Sequence, residues 1–320
     1  MTLFMRIAFI AVLCSVFEVL AQSFPSKPIH IVLPFGPGGV ADITTRTLAP
    51  KLTEGLGQPI VVDNLPGAGG IRASETVAKA EPDGHTLLLL TNGNAVSQAL
   101  FKSLPYDPLN DFAMISTVGY FGMVIVTGPD AKAKTLREAI AFAKANPGKL
   151  NIGTISPGGT QHLAGELFRS SAGIDAVVVP HKTTGDVIVA VRNGSVDLGV
   201  DFYAPLISGI RAGALCALAV TTAQRSPGLP DVPTAIESGV PGYDVASWNA
   251  LAAPAKTPRA VIERVREELV KALAAPEVQK RFAELGVEGR ASTPEELREF
   301  FIRESARWSR VVEAAKIPKQ

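Results

Sequence analysis

Cysteine is almost missing from this chain, with two residues in 320, and one of them, Cys14, falls in an N-terminal leader. Without that leader only Cys216 is left, which excludes an intramolecular disulfide. An oxidising compartment permits such bonds, but a chain large enough to bury a real core does not require them. Cys216 lies in the apolar run "ALCALAV" with no basic neighbour, so it reads as a small core residue rather than a nucleophile. Aromatics are scarce at 6%, and neither sign of charge dominates, with 31 Lys+Arg against 30 Asp+Glu. A chain with no basic stripe and few aromatics is not expected to bind nucleic acid. No Cys, His or Asp spacing matches a metal site, so no metal is expected. Past the leader, no segment is apolar over the roughly 20 residues that a spanning helix needs.

The leader itself is informative. It has a cationic start at Arg6, an apolar stretch from Ile7 to Phe17, and a small-residue ending at Val19-Leu20-Ala21. Glu18 interrupts the apolar stretch, so residues 1–21 read as a secretory signal peptide rather than an anchor. Leu13 stands where a lipobox wants a small residue, which argues against lipidation at Cys14. The expectation is an exported, periplasmic protein of two ordinary domains.

Apolar β-branched runs alternate with helical patterns through most of the sequence, which predicts an α/β fold with parallel strands. "IHIVLPF", "PIVVDN" and "HTLLLLT" are strand candidates in the first part, and "KLNIGTIS", "DAVVVPH" and "SVDLGVDF" in the second. "DFAMISTVGYFGMVIVTG" suggests two strands broken near Tyr120 to Gly122. Capping boxes open helices at Thr135 with Glu138 and at Thr293 with Glu296. Leu297, Phe300, Phe301, Trp308, Val311 and Val312 form one apolar stripe on the last helix, which predicts packing.

The segment "VLPFGPGGVAD" at 32–42 imitates a dinucleotide fingerprint, with Asp63 standing about 20 residues on, where a ribose would be held. Three observations turn that reading aside. An exported protein has no nicotinamide pool. Pro37 removes one N–H from the loop that would wrap a pyrophosphate. The pattern also returns at 154–164 as "TISPGGTQHLA", again after a strand and before a helix. Small residues let the backbone approach a ligand, and the free N–H groups of the following helix's first turn then point at it. Two such loops facing one another suit a small anion held from both sides, most simply a carboxylate. The third glycine-rich stretch, Pro66 to Gly70, reads as a flank of the first. Ser156, His181 and Asp201 can be assembled into a hydrolase-like set, the alternative reading as an exported α/β hydrolytic enzyme. No G-x-S-x-G elbow is present to place a nucleophile.

"FPSKPIHIVLPFGPGGVADITTRTLAPKLTEGLGQPIVVDNLPGAGG", "EPDGHTLLLLTNGN", "LPYDPLNDFAMIS", "NPGKLNIGTISPGGTQHLAGELF" and "RSPGLPDVPTAIESGVPGYDVASWNALAAPAKTP" resemble, in order and spacing, the Bug-type extracytoplasmic solute receptors. These are the substrate-binding proteins of tripartite tricarboxylate transporters. The resemblance covers essentially the whole mature chain. It implies a two-lobed type II periplasmic-binding-protein fold of the Venus-flytrap kind, with a hinge. Lobe 1 would be 22–122 plus 223–320, and lobe 2 would be 123–222.

The same resemblance implies no catalysis and no cofactor. Its expected partners are a small carboxylate ligand (a dicarboxylate, an amino acid or an aromatic acid) and the membrane subunits of the transporter, with the receptor itself a monomer. A receptor that signals to a membrane sensor when loaded is the other reading compatible with binding. The family's ligand-binding positions carry over onto Phe35, Pro37, Gly38, Gly39 and Asp42 in the first loop. In the second loop they fall on Ser156, Gly158, Gly159, Thr160, Gln161 and His162. Asn92, Asn94, His181 and Asp201 would line the rest of the pocket. The chain departs from the family at three places: His181 in "VPHKTTG" where tyrosine is common, Val40-Ala41-Asp42 for Gly-Thr-Asp, and Asn92-Gly93-Asn94 for Ser/Thr-Gly-Thr.

Overall fold

The computed structural model describes residues 24–155 and 159–320, so the signal-peptide expectation at 1–21 lies outside the described residues. The chain runs β1 (Ile29–Leu33), α1 (Val40–Leu56), β2 (Ile60–Asn64), α2 (Ile71–Ala78), β3 (Thr86–Thr91), α3 (Asn92–Leu100) and β4 (Phe112–Thr127). It continues through α4 (Leu136–Ala145), β5 (Leu150–Ile155), α5 (Thr160–Ser171), β6 (Ala176–His181), α6 (Thr184–Arg192), β7 (Leu198–Phe202), α7 (Tyr203–Arg211) and β8 (Cys216–Val220). The closing elements are β9 (Ala246–Pro254), α8 (Arg259–Ala274), α9 (Pro276–Glu284), β10 (Val287–Gly289) and α10 (Pro294–Ala314). The mixed α/β architecture is the one the alternating pattern predicts.

Two lobes are built on two sheets that share one strand. In the first, β2, β1 and β3 are parallel, β9 runs against β3, and β4 runs against β9. In the second, β7 and β8 flank β4 antiparallel, and β7, β5 and β6 are parallel. The two strands expected on either side of Tyr120 to Gly122 are in fact one strand of 16 residues. Its residues from Phe112 to Gly122 pair with β9, and those from Met123 onward pair with β7 and β8. The glycines in it serve close packing and do not break it. A Cβ at Gly119 would come within 2.9 Å of Glu288 O, and one at Gly122 within 2.7 Å of Thr222 Cγ2.

A buried hydroxyl and two backbone bonds tie the crossing together. Thr221 Oγ1 donates to Val245 O at 2.6 Å and accepts from Met123 N at 2.9 Å, while Thr221 N donates to Met123 O at 3.0 Å. Residues 223–245, which the sequence reading gave to lobe 1, pack against the second sheet. Ala235 N donates to Val220 O, the Tyr243 hydroxyl donates to Ala164 O, and Ala235, Val240 and Tyr243 join the core built on β5 and α5. The apolar stripe of α10 is packing, as its spacing predicts, and it serves both lobes. Leu297 and Phe301 enter the core of the first sheet, and Trp308, Val311 and Val312 that of the second.

Candidate functional site

Parallel strands deliver their C-terminal ends, and the helices that follow, to one edge of each sheet, and that edge is where α/β sheets bind ligands. Here the two edges enclose a cavity of about 840 Å³. The β1–α1 loop, the glycine-rich Pro66–Gly70 stretch and the β3–α3 junction line one wall. The start of α5, Thr184 of α6 and the β7–α7 junction line the other, with Phe121 of β4 also contributing.

Both α1 and α5 start at glycine. Gly39 and Gly159 are their N-caps, each in extended backbone and each without a side-chain cap. The amides of both first turns therefore have neither an intrahelical acceptor nor a capping oxygen. Each helix start carries the equivalent of about half a positive charge. No lysine, arginine or histidine side chain lines the cavity among the described residues. Among the described lining residues, attraction for an anion thus comes from backbone dipoles and neutral polar groups rather than from a charged side chain.

Of the sequence-predicted residues, Phe35, Gly38, Gly39, Asn92, Gly159, Thr160, Gln161 and Asp201 line the cavity together. Asn92 Nδ2 donates to Thr160 Oγ1 at 3.1 Å, joining the starts of α3 and α5 across the cleft. Gln161 Nε2 donates to Asp201 Oδ1 at 3.0 Å, Thr184 Oγ1 to Oδ2 at 2.6 Å, and Phe202 N to Oδ1 at 2.7 Å. Asp201 is fully buried, with no cation beside it among the described residues. Burial pushes its carboxyl above the usual range, and those three donors only partly oppose the shift. Ser156 and Gly158 lie outside the described residues.

Five other expected site residues do not line the cavity. Pro37 is exposed and is not among the lining residues. Asp42 is a brace: its carboxylate accepts from Gly38 N, Arg46 Nε and Asn64 Nδ2, and Asn64 Nδ2 also reaches Phe35 O. Burial raises the Asp42 pKa, but the bonds from Arg46, Gly38 and Asn64 outweigh it and hold the carboxyl below its usual value. Asn94 closes the start of α3, accepting from Thr91 N and donating to Ser74 Oγ. His162 is buried on the first turn of α5 with Nε2 4.0 Å from Glu166 Oε1; burial lowers its pKa, and Glu166 opposes this. His181 ends β6 in register with the lining residue Ile155, its Nε2 buried and unpartnered.

Sequence reasoning missed Ser247 and Asn249 on β9 and the rings of Phe101, Phe121 and Phe202. A signal for the first pair was present: in "ASWNALAAP" two polar residues stand two apart in an apolar strand, hence on one face. Asn92 Oδ1 and Asn249 Nδ2 are both buried without partners, and both residues line the cavity. Buried amide groups are rarely left so, and a bound ligand is the natural partner.

Comparison with known proteins agrees with this geometry. The family model described as "Tripartite tricarboxylate transporter family receptor" matches residues 44–317. The structure of the periplasmic binding protein BugD is 32% identical, with a TM-score of 0.80 over 93% of this chain and all of that one. Rpa4515 of R. palustris, solved with adipate, is 30% identical, with a TM-score of 0.82 over 93% of this chain and 100% of its own. MatC of Rhodopseudomonas palustris, solved with malate, is 30% identical, with a TM-score of 0.77 over 90% and 100%. The chain belongs to the tripartite tricarboxylate transporter receptor family, of Bug type, whose members are periplasmic solute-binding receptors and not enzymes.

Proposed function

We propose that this chain captures a small carboxylate between its lobes in the periplasm and delivers it to the membrane subunits of a tripartite tricarboxylate-type transporter. One observation carries the reading: two glycine-capped helix starts, one from each lobe, open onto a cavity with no cationic side chain among its described lining residues. Backbone amides at helix ends bind carboxylates without a counter-ion. The adipate and malate held by the two neighbours support the same ligand class.

In this proposal Gly38, Gly39, Gly159 and Thr160, completed by Ser156 and Gly158, hold the carboxylate. Phe35, Asn92, Gln161 and Asp201 form the surrounding wall. Asp42 and Asn94 keep the loops in shape, while Pro37, His162 and His181 act from outside the cavity. The lobes divide at Gly122–Met123 on the outward pass and at Val245–Ala246 on the return, where the pairing changes sheets.

Thermal-shift and calorimetric screening of the leaderless protein against carboxylates, amino acids, neutral sugars and nucleotides tests this reading. Stabilisation by one or more acids, at 1:1 stoichiometry and without turnover, is expected, and its size follows ligand concentration over affinity. Hits confined to neutral sugars or nucleotides would overturn the assignment.

A further inference from the structure

The chain is poor in aromatics, yet four of its 14 phenylalanines, Phe35, Phe101, Phe121 and Phe202, line this one cavity. Phe121 and Phe202 meet edge to face, with ring centroids 5.2 Å apart, where the two sheets join. Phe101 lies against the glycine-rich flank: a Cβ on Gly69 would fall within 3 Å of its ring, so the absence of a side chain there makes room for it. Phe35 stands beside the first loop with 45% of its surface exposed. Three of these rings, Phe101, Phe121 and Phe202, are not among the residues that the sequence reading assigned to binding.

We infer that the ligand is a monocarboxylate with an aromatic body, rather than a diacid of the adipate or malate kind. The inference rests on the carboxylate reading above and narrows it. Aromatic rings prefer edge-to-face or offset partners and gain from them beyond the area they bury. A short aliphatic diacid has no ring to set against these faces.

Charge argues the same way. Asp201 is the one ionisable side chain among the described lining residues, and it is an acid with no cation beside it. Asn92 Oδ1, 1% exposed as a residue, adds an oxygen without a partner. A second ligand carboxylate would share a cavity of low dielectric with these oxygens, and burying an uncompensated charge there is strongly unfavourable. The amide of Asn249 remains to meet an acceptor on the ligand.

The test is a two-by-two comparison by calorimetry on leaderless protein freed of co-purifying ligand. Benzoate and phenylacetate are the aryl monoacids, terephthalate the aryl diacid, hexanoate the aliphatic monoacid, and adipate the aliphatic diacid. An aryl monoacid is expected to bind at least about tenfold tighter than terephthalate, adipate or hexanoate. Equal or tighter binding of either diacid, or of hexanoate, overturns the inference while leaving the receptor reading intact. Binding of none of the five acids, nor of any other carboxylate, removes both. Phe121→Leu and Phe202→Leu keep apolar bulk and remove the rings, so the benzoate-to-hexanoate affinity ratio should fall about tenfold. In Asp201→Asn the terephthalate-to-benzoate affinity ratio should rise about tenfold. If both ratios stay fixed, rings and acid do not select the ligand.

Discussion

Two kinds of helix start in this protein make a contrast. At α4, α6 and α10 a threonine caps the first turn: Thr135 accepts from Glu138 N, Thr183 from Asp186 N and Thr293 from Glu296 N. At α1 and α5 the cap is glycine and no side chain reaches the amides. At these three starts the chain closes the end with its own oxygen. At the cleft the glycine-capped ends of α1 and α5 are left open onto one cavity, while the start of α6 beside them is closed by Thr183. Since glycine at an N-cap costs only a few tenths of a kcal/mol relative to the best residues, the stability given up is small.

The largest expected effect comes from closing one of the open ends. Gly39→Asp brings a carboxylate to the cap position, where backbone φ is −78° and a Cβ would meet nothing within 4 Å. Thermal unfolding should be unchanged or slightly raised, while calorimetry should show carboxylate affinity reduced about a hundredfold or more. Retained affinity would mean that the α1 amides do not hold the ligand. Gly39 is a better target than Gly38, whose φ of +87° would strain any side chain.

Next comes the brace beneath the open loop. Asp42→Ala removes the acceptor for Gly38 N and for two side chains, with an expected cost of about 2 kcal/mol in urea unfolding and about tenfold in affinity. A stability loss with unchanged affinity would separate the loop's shape from binding. A closed end gives the contrast: Thr293→Ala should cost about 1 kcal/mol and leave the ligand isotherm as it is. An affinity change there would show that the two kinds of helix start are not independent.

The smallest effect lies in pH dependence, and the two lobes should answer in opposite directions. Asp42 has a folded pKa below its ordinary 3.8, so it adds stability above that value and loses it as pH falls through the folded pKa. Asp201 has a folded pKa raised by burial, so its contribution is complete below 3.8 and is lost as pH rises through the raised value. Urea midpoints measured from about pH 3 to pH 7 should show Asp42→Asn flattening the acid limb. Asp201→Asn should flatten the limb above it. Two variants with parallel profiles would contradict the assignment.

Much of this was legible in the residues because the signals are local. Most strands, the Thr293–Glu296 capping box and the first glycine loop each depend on a few neighbouring positions, and the structure places them where those positions say. The long strand β4 was not legible. Its glycines look like breakers, and only the distant partners Glu288 and Thr222 show that they are close-packing positions. Asp42 and Asn94 sit within the right motifs, but their hydrogen bonds turn them toward the protein. Three of the cavity's rings come from separate segments, Phe101, Phe121 and Phe202, that share no motif, and folding alone brings them together.

The final helix has a consequence for whether the lobes can exist apart. Its first half completes one core through Leu297 and Phe301, and its second half completes the other through Trp308 and Val312. Residues 123–222 expressed alone would lack Trp308 and Tyr243 from their interior, and the remainder would keep half a helix with nothing to pack on. Neither lobe is a severable module. The receptor has to be gained, lost or exchanged as a whole chain, and its ligand preference can change only at the cavity between two halves that share one helix.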